Sequence, residues 1–205
     1  KQNNGTIGDV MTQTGKRRRG KPVVIGLVII LVIALTAAVG LYFAYDGYLH
    51  SSHPIKYENY VERYARDNHI DKYLVYAVIK TESSFKPEAV SNVGARGLMQ
   101  IMEDTFDWIK FRTDDEDTVY YDMYDPQTNI RYGCFLLGFL YEEFGNVETA
   151  MAAYHAGRGQ VNEWLADSSI SADGEHLDTI PISDTAHYVD KITKAIDVYK
   201  RLYDN

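Results

Sequence analysis

An uninterrupted apolar run near the start of the chain limits the structures that this sequence can adopt. Residues Val23 to Tyr45 contain no charged side chain. At about 1.5 Å per residue, a helix of this length is roughly 34 Å long, enough to cross the hydrocarbon core of a bilayer. The basic segment Lys16 to Lys21 precedes the run, and basic residues favour the cytoplasmic side. The sequence therefore predicts a cytoplasmic tail at 1–21, a membrane-spanning helix at 22–45 and an extracytoplasmic remainder.

The alternative for this run is a cleaved signal peptide, whose apolar region usually has about 7 to 15 residues. The run is longer than that, and neither an A-x-A cleavage site nor a cysteine suited to lipidation follows it. A retained anchor is therefore favoured. We expect a short polar linker at 46–54 and one folded domain at 55–205.

The charge of the remainder excludes one class of partner. From Asp46 onward there are 28 acidic and 15 basic residues, a net charge of -13. Because binding to phosphate backbones needs a basic surface, nucleic acid is not expected as a partner. The only cysteine, Cys134, lies in the apolar stretch "IRYGCFLLGFL", where a buried, inert thiol is expected.

Helical periodicity covers nearly every segment after the linker, and no alternating strand pattern exceeds a few residues. The predicted fold is mainly α. The predicted helices are Lys56 to Asn68, a helix capped by Asp71 that carries Glu82, "DTFDWIKF", a long helix from Pro126 to Gly145, "VETAMAAYHAG", "GQVNEWLAD" and Asp184 to Tyr203.

Two segments interrupt these helices. "RTDDEDTVYYDMYDP" is acidic but lacks the glycine and final glutamate of an EF-hand loop. A solvated acidic loop, with no metal bound, is expected there. "DSSISADGEHLDTIPIS" is a polar loop long enough to border a cleft.

Glu82 occupies a helix position at which the spacing of the neighbouring residues predicts an apolar side chain. Leu74, Val75, Val78 and Ile79 form an apolar stripe, and at about 100° per residue Glu82 falls near the middle of that stripe. A carboxylate on a buried face must be paired, hydrogen-bonded or kept neutral by a raised pKa. The neutral form is what a general acid requires. The competing interpretation is a frayed helix end that reaches water or a lysine.

Five motifs follow one another in register along this domain: "ESSF", "SNVGARGLMQIM", "NIRYG", "AAYHAG" and "HYVDKI". In this order they resemble the catalytic domain of soluble-type lytic transglycosylases, which are goose-lysozyme-like enzymes that cleave peptidoglycan. The resemblance spans roughly residues 53–203. It implies a lysozyme-like α fold in which Glu82 is the only catalytic acid and base, with no cofactor.

The resemblance also implies a reaction. Glu82 would protonate the oxygen between N-acetylmuramic acid and N-acetylglucosamine, then take the proton from the muramic C6 hydroxyl, which closes on C1 to give a 1,6-anhydro product. Most glycosidases need a second carboxylate. Where goose lysozymes have an acid soon after "GLMQ", this chain has Ile101 and Met102, and Glu103 and Asp104 follow only later. This favours a transglycosylase over a hydrolase.

The remaining motif residues resemble the walls of the family's cleft. The resemblance implies that six side chains contact substrate or surround the catalytic glutamate: Ser91, Met99, Gln100, Tyr154, His155 and Tyr188. Gly94 and Gly97 would permit the tight turn of "VGARG". Taken one at a time, each has an ordinary structural interpretation, such as core filler for Met99 and a turn residue for Ser91.

Three positions depart from the family pattern. His155 replaces the asparagine of "AYNAG", Glu103 replaces the proline of "IMP", and Ala186 replaces an arginine before Tyr188. Imidazole differs from a carboxamide in hydrogen-bonding geometry and can become charged. The change at His155 therefore bears on substrate contact.

The prediction from the sequence is a membrane-anchored peptidoglycan lytic transglycosylase whose partners are glycan strands and the membrane. Two alternatives stay open, a hydrolytic muramidase of the same fold and a non-catalytic wall-binding or assembly protein. Domains of this kind open the wall for growth, sporulation or the passage of secretion and conjugation machinery. The sequence does not select among these roles.

Overall fold

The computed structural model describes residues 20–204, and the chain divides into two compact units, residues 1–48 and 49–205. Helix α1, Gly20–Ser52, begins in the first unit and continues through most of the predicted linker. Within its segment Val23–Ser52, the most apolar 18-residue window has a mean hydropathy of 3.0, and none of that window is buried. Its length and composition suit a membrane-crossing helix. The basic residues before 20 lie outside the described part.

The second unit is built from helices, as predicted. Among residues 49–204 there is no β-strand, only two isolated bridges, which join Arg96 to Val90 and to Ile101. A short 3-10 helix, Tyr120–Tyr124, precedes the helix that begins at Pro126. The α-helices are α2 (Glu58–Asp67), α3 (Lys72–Ser83), α4 (Glu103–Thr113), α5 (Pro126–Phe144), α6 (Val147–Ala156), α7 (Arg158–Leu165) and α8 (Ser183–Tyr203).

Most of the observed helix ends lie at or close to the residues at which the sequence predicted them. The Asp71 carboxylate accepts a hydrogen bond from the backbone N–H of Tyr73 and so caps α3. Pro126 begins α5, and Gly145 ends it with a φ of 70°. The first predicted helix starts too early, because Tyr57 has a left-handed φ of 59° and α2 begins only after it.

The core surrounds α3, which packs against α8 and α2, while α5 contacts α2, α4 and α6. All residues of α3 from Tyr73 to Ile79 are buried, so the helix is covered on every side rather than along one stripe. Cys134 on α5 is fully buried, and burial raises the pKa of its thiol. An inert thiol is what this environment produces.

Asn129, at the start of α5, ties the loop of residues 89–101 to the core. Its Nδ2 donates to the carbonyl oxygens of Arg96 at 3.0 Å and Met123 at 2.8 Å, and its Oδ1 accepts from the N–H of Met99 at 2.7 Å. Asn129 is 0% exposed. A Cβ at Gly97 would collide with Asn129 and with the Met123 carbonyl, so the close approach requires glycine.

The acidic segment after α4 differs in part from the prediction. Asp115 accepts hydrogen bonds from Thr118, from Arg131 Nη2 at 2.7 Å and from the Tyr132 hydroxyl at 3.0 Å, and its side chain is 10% exposed. Burial alone would raise the pKa of Asp115, but these hydrogen bonds hold it well below its usual range. The expectation of a fully solvated loop is therefore wrong at Asp115, which joins the loop to α5.

Replacing Asn129 with alanine should destabilise the domain. The change leaves the buried Met99 N–H and the Met123 carbonyl oxygen without these partners, while the Arg96 carbonyl oxygen keeps the hydrogen bond from the Ile101 N–H. We expect the free energy of unfolding to fall by roughly 2–4 kcal/mol. Denaturant unfolding of the full chain in detergent, monitored by near-UV circular dichroism, measures this. The exposed Asn92 lies in the same loop, so Asn92→Ala is the matched control and should stay within about 0.5 kcal/mol of the parent. Equal effects of the two variants would contradict the assigned role.

Candidate active site

Glu82 occupies the last turn of α3, where the helix leaves the core. Burial raises the pKa of Glu82 to about 7, and a hydrogen bond from Tyr188 opposes part of that rise. Among residues 20–204, no charged group contributes to this shift. The carboxyl group is therefore largely protonated below neutral pH and about half protonated near pH 7, and the protonated form is the state that a general acid needs. Glu82 is partly buried, lies inside α3, which continues to Ser83, and accepts its hydrogen bond from Tyr188 rather than from a lysine. These contacts do not fit a frayed helix end.

The chain turns sharply after this residue. Ser84 and Phe85 both have left-handed φ values, 51° and 62°, which are uncommon for residues other than glycine. Gln100, across the loop, has a φ of 50°. Such conformations are held only where the surrounding structure determines them, and they cluster at functional sites.

Tyr188, on the second turn of α8, holds the carboxyl group in place. Its hydroxyl donates to Glu82 Oε1 at 2.6 Å, and only 7% of the residue is exposed. Burial, followed by the charge of Glu82, raises the pKa of Tyr188 well above its usual range. The phenol therefore stays a donor. Since Oε1 accepts this bond, Oε2 is the oxygen left to carry the transferable proton.

Tyr154, on α6, lies near both Glu82 and Tyr188. Its hydroxyl donates to the carbonyl oxygen of Met99 at 2.7 Å. Burial, followed by the charge of Glu82, raises the pKa of Tyr154 well above its usual range. The structure thus brings the two tyrosines of the sequence motifs together around Glu82. Their contact with substrate stays a prediction.

Ser91 and Gln100 use much of their hydrogen-bonding capacity within the loop. Ser91 Oγ accepts from the backbone N–H groups of Val93 and Ala95, and Gln100 Nε2 donates to the carbonyl oxygens of Ala89 and Gly97. The Ser91 O–H and the Gln100 Oε1 are left for another partner. Substrate binding by these two residues also stays a prediction.

Met99 requires a correction. The residue is 0% exposed, and its thioether lies where a Cβ on Gly133 would be placed. A side chain packed into the core cannot lie against a sugar, so Met99 serves as core filler. The exposed methionine of this segment is Met102, at 38%. The sequence signal that distinguishes them is the position of Met102 at the cap of α4, outside the buried "GLMQ" turn.

His155 follows Tyr154 and packs against Tyr188. The two ring centroids are 4.6 Å apart with the planes at 31°, and His155 Nδ1 lies 3.1 Å from Thr185 Oγ1. Burial lowers the pKa of His155, so the imidazole is neutral at neutral pH. One of its nitrogens is engaged with the protein rather than with the cleft.

A groove lies beside Tyr154, and Glu82 is not among the residues that line it. It encloses about 300 Å³, combines aromatic and aliphatic walls with polar groups at its rim, and shares Tyr154 with the catalytic cluster. An aromatic wall with a polar rim suits a sugar ring. Its lining residues are Asp104, Thr105, Trp108, Leu136, Phe139, Leu140, Ala153, Tyr154, Gly157 and Arg158.

The two acids considered for a second catalytic role lie at the start of α4. Both Glu103 and Asp104 are exposed, and Asp104 lines the groove. Neither contributes to the pKa shift of Glu82. Across residues 20–204, no three histidine, cysteine, aspartate or glutamate side chains are grouped as metal ligands.

Comparison with known proteins places this site in a family. The sequence pattern of the transglycosylase SLT domain matches residues 59–176. The soluble lytic murein transglycosylase of Salmonella typhimurium is 35% identical over 157 residues, 75% of this chain and 24% of that protein. The Escherichia coli K12 protein of the same description is 34% identical over 159 residues, 76% of this chain and 24% of that protein. The chain spans about a quarter of the length of these relatives.

Solved structures agree with the sequence match. The 70 kDa soluble lytic transglycosylase of Escherichia coli superposes with a TM-score of 0.67 at 30% identity, covering 75% of this chain and 25% of that one. Its complex with bulgecin A gives a TM-score of 0.68 at 29% identity, covering 77% of this chain and 26% of that one. The helical, lysozyme-like fold predicted from the sequence is thereby confirmed, and it is the fold of these transglycosylases.

The raised pKa of Glu82 predicts a pH-dependent stability. The folded state holds this proton up to about pH 7, whereas the unfolded chain releases it near 4.5. The folded state therefore binds more protons between these values, and its stability falls as the pH rises through them, by up to about 3 kcal/mol. Glu82→Gln should remove this loss and be more stable than the parent above pH 7.

Denaturant unfolding of both proteins between pH 4 and 8 tests this linkage. Glu88 is exposed and lies close to Glu82 in the sequence. Glu88→Gln is therefore the control variant and should follow the stability profile of the parent. If the difference in the free energy of unfolding between the parent and Glu82→Gln is the same at pH 4 and pH 8, Glu82 titrates normally and the prediction is wrong.

Proposed function

Because the SLT domain pattern covers more than half of its residues, this chain belongs to the transglycosylase SLT domain family, and we propose that it is a peptidoglycan lytic transglycosylase. The observation that carries the proposal is Glu82, a carboxyl group with a pKa raised to about 7 by burial and oriented by the Tyr188 hydroxyl at 2.6 Å. Relatives described as lytic murein transglycosylases support the same activity.

The proposed reaction uses one carboxyl group twice. Glu82 donates its proton to the glycosidic oxygen between N-acetylmuramic acid and N-acetylglucosamine, and the bond from that oxygen to the muramic C1 breaks. Positive charge develops on the sugar ring. The Glu82 carboxylate then accepts the proton of the muramic C6 hydroxyl as its oxygen bonds to C1. The products are a 1,6-anhydromuramic end and a free N-acetylglucosamine hydroxyl, and no water is consumed.

The surroundings of Glu82 fit this use. The Tyr188 hydroxyl can donate to Oε1 in both protonation states of Glu82, and it therefore holds the carboxyl group in one orientation during both steps. Oε2 is left to give and recover the proton. The glycan strand would extend from Glu82 past Tyr154, which also lines the groove.

A hydrolytic muramidase is the second candidate, and one observation favours it. Asp104 is an exposed carboxylate in the wall of the groove, where a second acid could activate water. The absence of any acidic contribution to the pKa of Glu82 supports the transglycosylase instead. The two reactions differ in whether the product carries an anhydro ring or a reducing end.

The anchor and orientation complete the proposal. Helix α1 would hold the enzyme in the cell membrane, with the preceding basic residues in the cytoplasm and the domain on the outer side. Its apolar segment Val23–Ser52 supports the membrane span, and the positive-inside rule supports the orientation. A tethered domain acts only on wall within reach of the membrane, which would suit a role in growth, sporulation, or secretion or conjugation machinery.

Product analysis tests the activity. The full chain in detergent should release anhydromuropeptides from purified peptidoglycan, detected by mass spectrometry. Glu82→Gln should lower the rate by at least about 100-fold, since general acid and base catalysis by one residue is lost. Asp104→Asn is the matched control and should keep the anhydro product. Reducing-end products that vanish with Asp104→Asn would instead establish a muramidase.

Reporter fusions test the orientation. Alkaline phosphatase fused after residue 205 should be active in bacterial cells, because it folds only outside the cytoplasm, and green fluorescent protein at the same point should stay dark. Replacing Arg17, Arg18 and Arg19 with glutamate should lower the phosphatase signal, since basic residues set the orientation. A fluorescent fusion with inactive phosphatase in the parent would place the domain in the cytoplasm.

A further inference from the structure

His155 departs from the family motif and is an exposed residue that contacts Tyr188, the partner of the catalytic glutamate. Its imidazole packs over the ring of Tyr188, with centroids 4.6 Å apart, and the hydroxyl of Tyr188 donates to Glu82 Oε1 at 2.6 Å. A single aromatic ring thus separates His155 from Glu82. An asparagine at this position could not reproduce the stacked contact.

Two neighbours on α8 determine how the imidazole lies. His155 Nδ1 is 3.1 Å from the hydroxyl oxygen of Thr185, and Thr185 is 1% exposed. Thr185 and Tyr188 are three residues apart and therefore lie on the same face of α8. The hydrogen bond and the stacked ring together fix His155 against that face, on the side from which Tyr188 reaches Glu82.

The charges around His155 are few. From α8, the Asp184 carboxylate acts to raise its pKa, and the phenol of Tyr188 lies against its ring. Burial has the larger effect and lowers the pKa of His155. Glu82, on α3, is reached through Tyr188. No group of α5 or α7 in the described residues contributes to the shift.

In the proposed reaction, a second titrating group besides Glu82 can affect the pH dependence of the rate. If Glu82 is both acid and base, its protonated form starts the reaction, and activity falls only as the pH rises past the pKa of Glu82. Glu82 alone provides no decline on the acid side. An acid limb needs another group whose protonation is harmful to the reaction.

We propose that His155 is a positioning residue for the Tyr188–Glu82 pair and that its protonation produces the acid limb of the pH profile. The inference rests on the proposed transglycosylase function. A proton on His155 places a cation over the face of Tyr188. This cation lowers the basicity of Glu82, which must recover a proton, and opposes the positive charge that develops on the sugar ring.

The pH profile of initial rates on peptidoglycan tests this role in the parent and two variants. His155→Asn can keep a hydrogen bond to Thr185 but neither stacks nor titrates, and His155→Phe stacks but neither titrates nor hydrogen-bonds. The parent should show a bell-shaped profile, with activity below the pKa of His155 falling up to about tenfold per pH unit. Both variants should lose the acid limb and keep the basic one. His155→Phe should also keep a higher plateau rate than His155→Asn.

An NMR titration measures the coupling between His155 and Tyr188 without an activity assay. The His155 ring resonance, assigned by its loss in His155→Asn, should titrate below the usual range of an imidazole. The ring signals of Tyr188 should follow it in the parent but not in His155→Phe. An acid limb unchanged in both variants, or Tyr188 signals indifferent to His155, would overturn the inference. If no anhydro product forms at any pH, the proposed function fails, and the Tyr188 titration alone decides the coupling.

Discussion

The burial of α3 is the constraint from which the site follows. The helix is covered on every side from Tyr73 to Ile79 and ends in a carboxylic acid before the chain turns away. A carboxylate at the end of such a helix is costly to ionise, so the proton stays on Glu82 up to about pH 7. The helix that supplies much of the packing, α8, also supplies the tyrosine that orients the acid. Packing and proton affinity therefore depend on the same contact between two helices.

Much of the fold could be predicted because its signals are local. Asp71 as a cap, Pro126 as a first helical residue and Gly145 as a stop each act within one turn of helix. The inward direction of Glu82 also followed from helical spacing alone. The start of α2 was missed because the left-handed conformation of Tyr57 is imposed by the surrounding chain and has no local sequence signal.

The parts of the site that could not be predicted depend on distant contacts. Tyr188 lies 106 residues from Glu82, and only the resemblance to a family suggested that they meet. Periodicity could not separate Met99, which is buried in a turn, from Met102, which is exposed at a helix cap. Asn129 belonged to a recognised motif but had no assigned role. Its three hydrogen bonds to two separate segments are visible only once the loop and α5 are brought together.

A site with one catalytic acid depends on the residues around that acid more than a site with two catalytic acids does. Where two carboxylates share the work, each can have its own pKa suited to its role. Here Glu82 must be acidic enough to donate and basic enough to recover a proton, so small changes in its surroundings act on both steps in opposite directions. Tyr188 makes Glu82 a stronger acid by stabilising its carboxylate, and burial makes it a stronger base. A residue that adjusts Tyr188, as we propose for His155, which packs against its ring, acts on that balance through the hydrogen bond from Tyr188 to Glu82.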